Sequence, residues 1–182
     1  MENLTKIVTG KVRFCYVNVF EPTAMNEGDT PKYNICILIP KDDAKTLEKI
    51  NKAIEAAKQA GKAKLADKNG KIPSNLKLPL RDGDAERADD PAFENCYFIN
   101  ANSNRKPSIV DHDLNPIMEK EEFYSGCYGR ASINFYAFSV SSKGIAAGLN
   151  NLQKLEDGEM LAGGSTAEED FGGKNEWNDE LM

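Results

Sequence analysis

Runs rich in β-branched and aromatic residues, one stretch of helical periodicity after the second run, and an acidic C-terminal end almost without apolar content together predict a mainly β chain: a small Greek-key barrel of OB type with one inserted α-helix and a disordered acidic tail. A parallel α/β sheet would need a helix between successive strands, and only one helix is clearly signalled. The 182 residues suffice for one domain with a core and an irregular appendage, but are short for two full domains. The domain is expected over 1–162 and the tail over 163–182.

Each element has its own warrant. Residues 7–20 are dense in β-branched and aromatic types and end at Glu21-Pro22, which reads as one long strand. Residues 33–39, Tyr-Asn-Ile-Cys-Ile-Leu-Ile, are apolar at nearly every position, as in a strand covered on both faces. A helix follows: Asp42 or Asp43 caps it, Leu47, Ile50, Ile54 and Ala57 form its apolar stripe, and Gly61 ends it. Residues 62–95 lack periodicity and read as a long surface excursion with a sharp turn at 79–84. Strands are expected again at 96–101, 108–110 and 124–140, with a weaker one at 145–155. From 163 the Gly-Gly-Ser-Thr and acid-rich sequence has too little apolar surface to offset the entropy of ordering.

The net charge of −6 divides unevenly. From Glu156 onward nine acids face the single base Lys174, so residues 1–155 carry about +2 and residues 156–182 carry −8. A slightly basic body is compatible with a cationic groove. The longest uninterrupted apolar run, 35–39, is far too short to span a bilayer, and the N-terminus lacks the apolar segment of a secretory signal, so the chain is expected to be soluble and cytoplasmic. Cys15, Cys36, Cys96 and Cys127 are widely spaced in apolar settings, which argues for reduced core thiols and no metal or cofactor.

The run 127–140 separates under the two-residue period of a strand. Cys127, Gly129, Ala131, Ile133, Phe135 and Ala137 make a small or apolar face, while Tyr128, Arg130, Ser132, Asn134, Tyr136 and Phe138 make the other. Rings interleaved with a cation and amides suit non-specific single-strand binding, with faces for bases to stack on and charge for phosphates. Asn102, Arg105 and Lys106 in the segment 100–106 extend this set with phosphate-contacting types. Two further candidates are Tyr16, which alternation places with Phe14 opposite Lys11 and Arg13, and Arg81, which an ion pair to Asp82 or Asp84 would explain equally well.

Pro79-Leu-Arg-Asp-Gly-Asp84, Tyr97-Phe-Ile-Asn-Ala-Asn-Ser103, the run from Tyr124 to Phe138, Gly144-Ile-Ala-Ala-Gly-Leu-Asn-Asn-Leu-Gln153 and the Ile37-Leu-Ile-Pro-Lys41 lead into the helix resemble the blocks of the phage single-stranded-DNA-binding protein family long carried as a phage protein of unknown function. The likeness runs to about residue 164, except that a residue larger than Gly129 is expected at that position. It implies an OB-fold, coating of single strands in phage DNA replication or recombination within the bacterial host, and self-association, with a dimer expected. The tail carries Phe171, Trp177 and Leu181 among its acids, which suits a segment that competes for the groove and docks on replication or recombination proteins.

Two rivals deserve weighing. A metal-dependent nuclease would use Asp111, His112 and Asp113, but neighbours on an extended chain point to opposite faces, so a solvated turn before Pro116 is the simpler reading. No phosphate loop, zinc-protease or serine-hydrolase motif occurs, so no enzyme is expected. A β-rich virion or assembly protein would use the same surface rings for protein contacts.

Overall fold

Alternating apolar residues need a second layer to bury against, and in this chain the sheet supplies it by closing on itself. The computed structural model describes residues 4–24, 28–140 and 142–161. In chain order they form β1 (Lys6–Val8), β2 (Val12–Thr23), β3 (Lys32–Pro40), α1 (Ala44–Ala60), α2 (Lys62–Leu65), β4 (Arg81–Asp82), α3 (Gly83–Glu86), a 3-10 turn (Pro91–Phe93), β5 (Cys96–Ser103), β6 (Ser108–Val110), β7 (Tyr128–Phe138) and β8 (Gly144–Glu156). Strand neighbours run β2–β3–β5–β8–β7, and β7 returns to pair with β2. The result is a closed five-stranded Greek-key barrel in which only the β5–β8 pairing is parallel. It bears out the predicted fold class.

The barrel interior is filled from every strand, with Phe14, Ile37, Ile99, Ile133, Phe135 and Leu149 among its buried residues. Helix α1 adds Ile50, Ala53, Ile54 and Ala57 to the same core, and Asp43 caps it by accepting the Thr46 N–H at 3.2 Å. A second apolar cluster, Cys15, Cys36, Leu38, Phe93 and Phe98, lies outside the barrel beneath the 3-10 turn. Residues 35–39 are therefore buried on both faces, as their unbroken apolar run predicts. At 129 a Cβ would collide with the Gln153 carbonyl oxygen on β8, so the close crossing of β7 and β8 requires the glycine that departs from the family expectation.

Several boundaries differ from the sequence reading. The first run is two strands, β1 and β2, which both pair with β7. The chain kinks between them where the Thr9 N–H reaches the Ala131 carbonyl at 3.0 Å and the Gly10 N–H reaches Thr46 Oγ1 at 2.9 Å. Strand β7 starts at Tyr128 because residues 124–127 turn, with Gly126 at φ 116° and the Cys127 N–H on the Tyr124 carbonyl. The expected weak last strand is the 13-residue β8, which pairs with β5, β6 and β7. Among the described residues no helix is long and apolar enough to cross a membrane.

The excursion 62–95 contains only single helical turns and the short β4; its Leu65 and Phe93 are buried, and ion pairs tie its middle to the end of β3. Lys41 Nζ, at the end of β3, lies 2.8 Å from Asp82 Oδ1 and 2.7 Å from Asp84 Oδ2. The Lys41 ammonium holds both carboxyls below the ordinary aspartate value of 3.8. Carboxylates with lowered values in the folded protein contribute stability that is complete above the unfolded value and lost as the pH falls through the lowered ones. We expect Lys41→Met to lower the melting temperature at pH 7 and by clearly less at about pH 2, where both aspartates are protonated. An equal difference at the two pH values would show that the lysine acts through packing alone.

Candidate nucleic-acid interface

Strand alternation delivers the two predicted faces of β7. Gly129, Ala131, Ile133, Phe135 and Ala137 are buried, while Arg130, Ser132, Asn134 and Tyr136 point outward. The outward residues nevertheless do not form one open platform. Tyr128 lies under Lys11 and Arg13, each 5.3 Å from its ring centre, and Gly158 packs against the ring from the other end of the chain. Arg130 is exposed, but its Nε is held on the Thr9 carbonyl at 3.1 Å. Phe138 is half-buried against Gly144. Of the three rings proposed on this face, Tyr136 is the open one, with 41% of its surface accessible.

A second station lies on the outer face of β2, β3 and β5. Tyr16 has φ 48°, a left-handed conformation that breaks the alternation of β2 and lifts the ring out of the core, leaving it 45% exposed. The expectation that Tyr16 shares the face of Phe14 is thereby corrected, since Phe14 is fully buried inside the barrel. Arg87 spreads over the outer cluster, its guanidinium 5.8 Å from the Tyr16 ring, 5.4 Å from Phe93 and 5.9 Å from Phe98. Sequence reading missed Arg87, because it lies in an aperiodic segment next to acids and nothing local marks it. In an OB barrel the outer face of the second and third strands, here β3 and β5, is the surface that takes oligonucleotides.

The remaining candidates separate. Asn102 stands on the outer face of β5 in register with Asn34. Arg105 and Lys106 follow the end of β5, both exposed, with the Lys106 ammonium 5.6 Å from the Phe20 ring. Among the described residues Arg87, Arg105 and Lys106 make no ion pair within 4.0 Å. Arg81 is engaged: it bonds Glu86 and covers the Phe98 ring at 5.1 Å. Its partner is thus Glu86, because Lys41 already occupies Asp82 and Asp84. Asp111 closes an exposed turn by accepting the N–H groups of Asp113 and Asn115, each at 2.9 Å, which is the simpler reading of 111–113. Among the described residues no group of three or more His, Cys, Asp or Glu is placed to hold a metal. Contact with the Cys36 thiol, together with burial, pushes the Cys15 thiol up and keeps it protonated. Phe171, Trp177 and Leu181 lie outside the described residues.

After β8 the chain turns back over this surface. Tyr124 Oη donates to Asp157 Oδ1 at 3.0 Å, and Arg13 Nη2 donates to the Glu159 carbonyl at 2.7 Å. The Leu161 N–H reaches the Ser125 carbonyl at 2.8 Å, and Leu161 packs on the outer cluster whose Phe93 and Phe98 rings lie under Arg87.

The profile of the family described as Enterobacter phage Enc34, ssDNA-binding protein, matches residues 5–182. A protein designated p50, from Acyrthosiphon pisum secondary endosymbiont phage 1, is 29% identical over 166 residues, 89% of each chain. The single-stranded DNA-binding protein of bacteriophage Enc34, solved in complex with ssDNA, superposes with a TM-score of 0.75 at 26% identity, covering 88% of this chain and 91% of that one. Gp2.5, the single-stranded DNA binding protein of bacteriophage T7, shares the fold with a TM-score of 0.63 at 11% identity, covering 88% and 97%.

The two outward tyrosines of β7 should respond differently to truncation. Tyr128→Ala removes a ring held between two cations and Gly158 and is expected to cost roughly 1–3 kcal/mol, less than a fully buried aromatic. Tyr136→Ala, on open surface, should stay within about 0.5 kcal/mol of the parent in chemical denaturation. Equal losses would contradict the covered position of Tyr128.

Proposed function

The chain belongs to the family of the Enterobacter phage Enc34 ssDNA-binding protein, and on that premise we propose that it binds single-stranded DNA without strong sequence preference and without catalysis. The observation that carries this reading is the outer face of β2, β3 and β5, which bears the open Tyr16 ring, the Arg87 guanidinium and the Asn102 amide, with Arg105 and Lys106 just beyond β5; Tyr136 is a separate open ring on β7. Stacking serves any unpaired base, so such a surface favours single strands over duplex whatever the sequence. The biological setting we propose is protection of single strands during phage replication or recombination in the cytoplasm of the bacterial host, by a protein that self-associates, with a dimer the simplest state.

The tail, residues 163–182, has two roles in this proposal. Its acids compete with DNA for the groove, and Phe171, Trp177 and Leu181 dock on replication or recombination proteins once DNA has displaced it. Support comes from the path of residues 157–161, which leads the chain over Arg13 and Tyr128 to Leu161 on the outer cluster that Arg87 also covers. A tether that starts there presents its charge to the face at high effective concentration.

The test is an anisotropy titration of oligo-dT and of duplex across a salt series, with the full chain and with a chain ending at residue 162. Oligo-dT should bind much more tightly than duplex, with affinity falling as salt rises, and Arg105→Ala should lower the slope of log affinity against log salt by about one. The shortened chain should bind more tightly at low salt and converge with the full chain at high salt, as screening removes the competition. Equal affinity for duplex would overturn the single-strand reading. Equal low-salt affinity of the two chains would remove the competing role of the tail.

A further inference from the structure

One row of registered positions crosses all five barrel strands, and it is almost wholly asparagine. Asn18 on β2 is registered with Asn34 on β3, Asn34 with Asn102 on β5, Asn102 with Gly148 on β8, and Gly148 with Asn134 on β7. The four asparagines are half-buried and lie on the outer face, since their strand neighbours Val19, Ile35, Ala101, Ile133 and Phe135 are buried inside. The fifth position completes the row without a side chain of its own: a Cβ on Gly148 would lie 2.8 Å from Asn134 Oδ1, so the Asn134 carboxamide occupies the space above that glycine. Asparagine is depleted in strands, and neither core packing nor turn chemistry explains four of them at one level of a barrel.

The amides divide into two kinds. On β2 and β3 they are fixed: Asn18 Nδ2 donates to Asn34 Oδ1 at 3.0 Å, and Asn34 Nδ2 donates to Thr23 Oγ1 at 3.0 Å. On β5 and β7, the Asn102 and Asn134 carboxamides have no hydrogen-bond partner among the described residues and are open to solvent. No cation stands at the row's positions on the five barrel strands, but the row continues onto β1, where the exposed Lys6 is registered with Asn134; Arg87, Arg105 and Lys106 lie outside it.

Resting on the single-strand reading above, we infer that this belt is the base-contacting track of the groove: the DNA crosses the strands along it, its base edges meeting the Asn102 and Asn134 amides while phosphates follow the cations at the margins. A carboxamide offers both a donor and an acceptor, and every base edge carries at least one matching group, so the track holds all four bases without selecting one. Phosphates gain most from charge, which the amides do not supply and which the row offers only at its margin, at Lys6 beside Asn134. Tyr136, two residues beyond Asn134 on the same outward face, provides a ring at the end of the track.

The experiment compares the parent, Asn102→Ala/Asn134→Ala and Gly148→Ala on oligo-dT and on an abasic phosphodiester oligomer of equal length, at a salt concentration where the abasic oligomer still binds. Arg105→Ala is the control, and melting temperatures confirm folding. The double variant should lose about tenfold or more on oligo-dT, two amide hydrogen bonds' worth, with its salt slope unchanged and no loss on the abasic oligomer. Gly148→Ala, which evicts the Asn134 amide, should reproduce part of that loss, and Arg105→Ala should weaken both ligands. An equal loss on the abasic oligomer would place the amides on the backbone and overturn the inference, as would undiminished oligo-dT binding by the double variant. If the parent itself bound neither ligand, the single-strand reading would fall first and the belt with it.

Discussion

The bend of β2 is the constraint on which the rest of this structure depends. A five-stranded barrel closes only if its first strand serves two neighbours, and β2 pairs with β7 at Val12 and Arg13 while pairing with β3 from Arg13 to Thr23. The bonds from the Phe14 N–H to the Cys127 carbonyl and from the Gly126 N–H to the Phe14 carbonyl are the last backbone links toward β7. Tyr16 follows with its left-handed φ, and the Val17 N–H turns to Ser125 Oγ at 3.1 Å. A bulky residue in that region is strained by roughly 1–3 kcal/mol, and such strain persists where its surroundings over-determine it. Here closure of the core over-determines it, and the outcome is an aromatic ring on the outer face beside Arg87.

Closure also explains why there are two apolar clusters. Once β3 is enclosed between β2 and β5, its inward residues fill the barrel, and its outward Cys36 and Leu38 need a cover of their own. The aperiodic segment 62–95 supplies it through Phe93, which meets Phe98 edge-on at a ring separation of 5.2 Å. The Asp90 carboxylate caps the turn that carries Phe93, and the Lys41 pairings tie the preceding segment to the end of β3. Arg87 is held at the edge of this cover, so the station it forms with Tyr16 is a by-product of burying an exposed strand face.

What could be read from the sequence was what local chemistry decides. The stripe Ile50, Ile54 and Ala57, the doubly buried run 35–39 and the alternation of 129–137 each follow from spacing alone and stand in the structure, and of the two possible caps, Asp42 or Asp43, the structure uses Asp43. What could not be read depends on contacts distant in sequence. Alternation shows that Tyr128 points outward, but the chain that covers it comes from Gly158, thirty residues on. Arg81 and Asp82 are neighbours in sequence, yet Lys41 takes the aspartate and leaves Arg81 to Glu86. The asparagine row is invisible to any single-strand pattern, because its regularity lies in the register between strands.

The fate of the cations bears on how such a surface gains affinity. Among the described residues Lys11, Lys41, Lys52, Lys58, Arg81 and Lys154 are paired with an acid of the same chain, a minority of the Lys and Arg in residues 1–155. Arg87, Arg105 and Lys106 lie on or beside the outer face without an ion pair among the described residues, available to phosphates. On the proposed reading, stacking on Tyr16 and Tyr136 and hydrogen bonds to unpaired amides add contacts that salt does not screen. Such contacts need bases that are unstacked and free of their complement. On that reading, selectivity for single strands comes from these base contacts, since cations alone would hold a duplex backbone equally well.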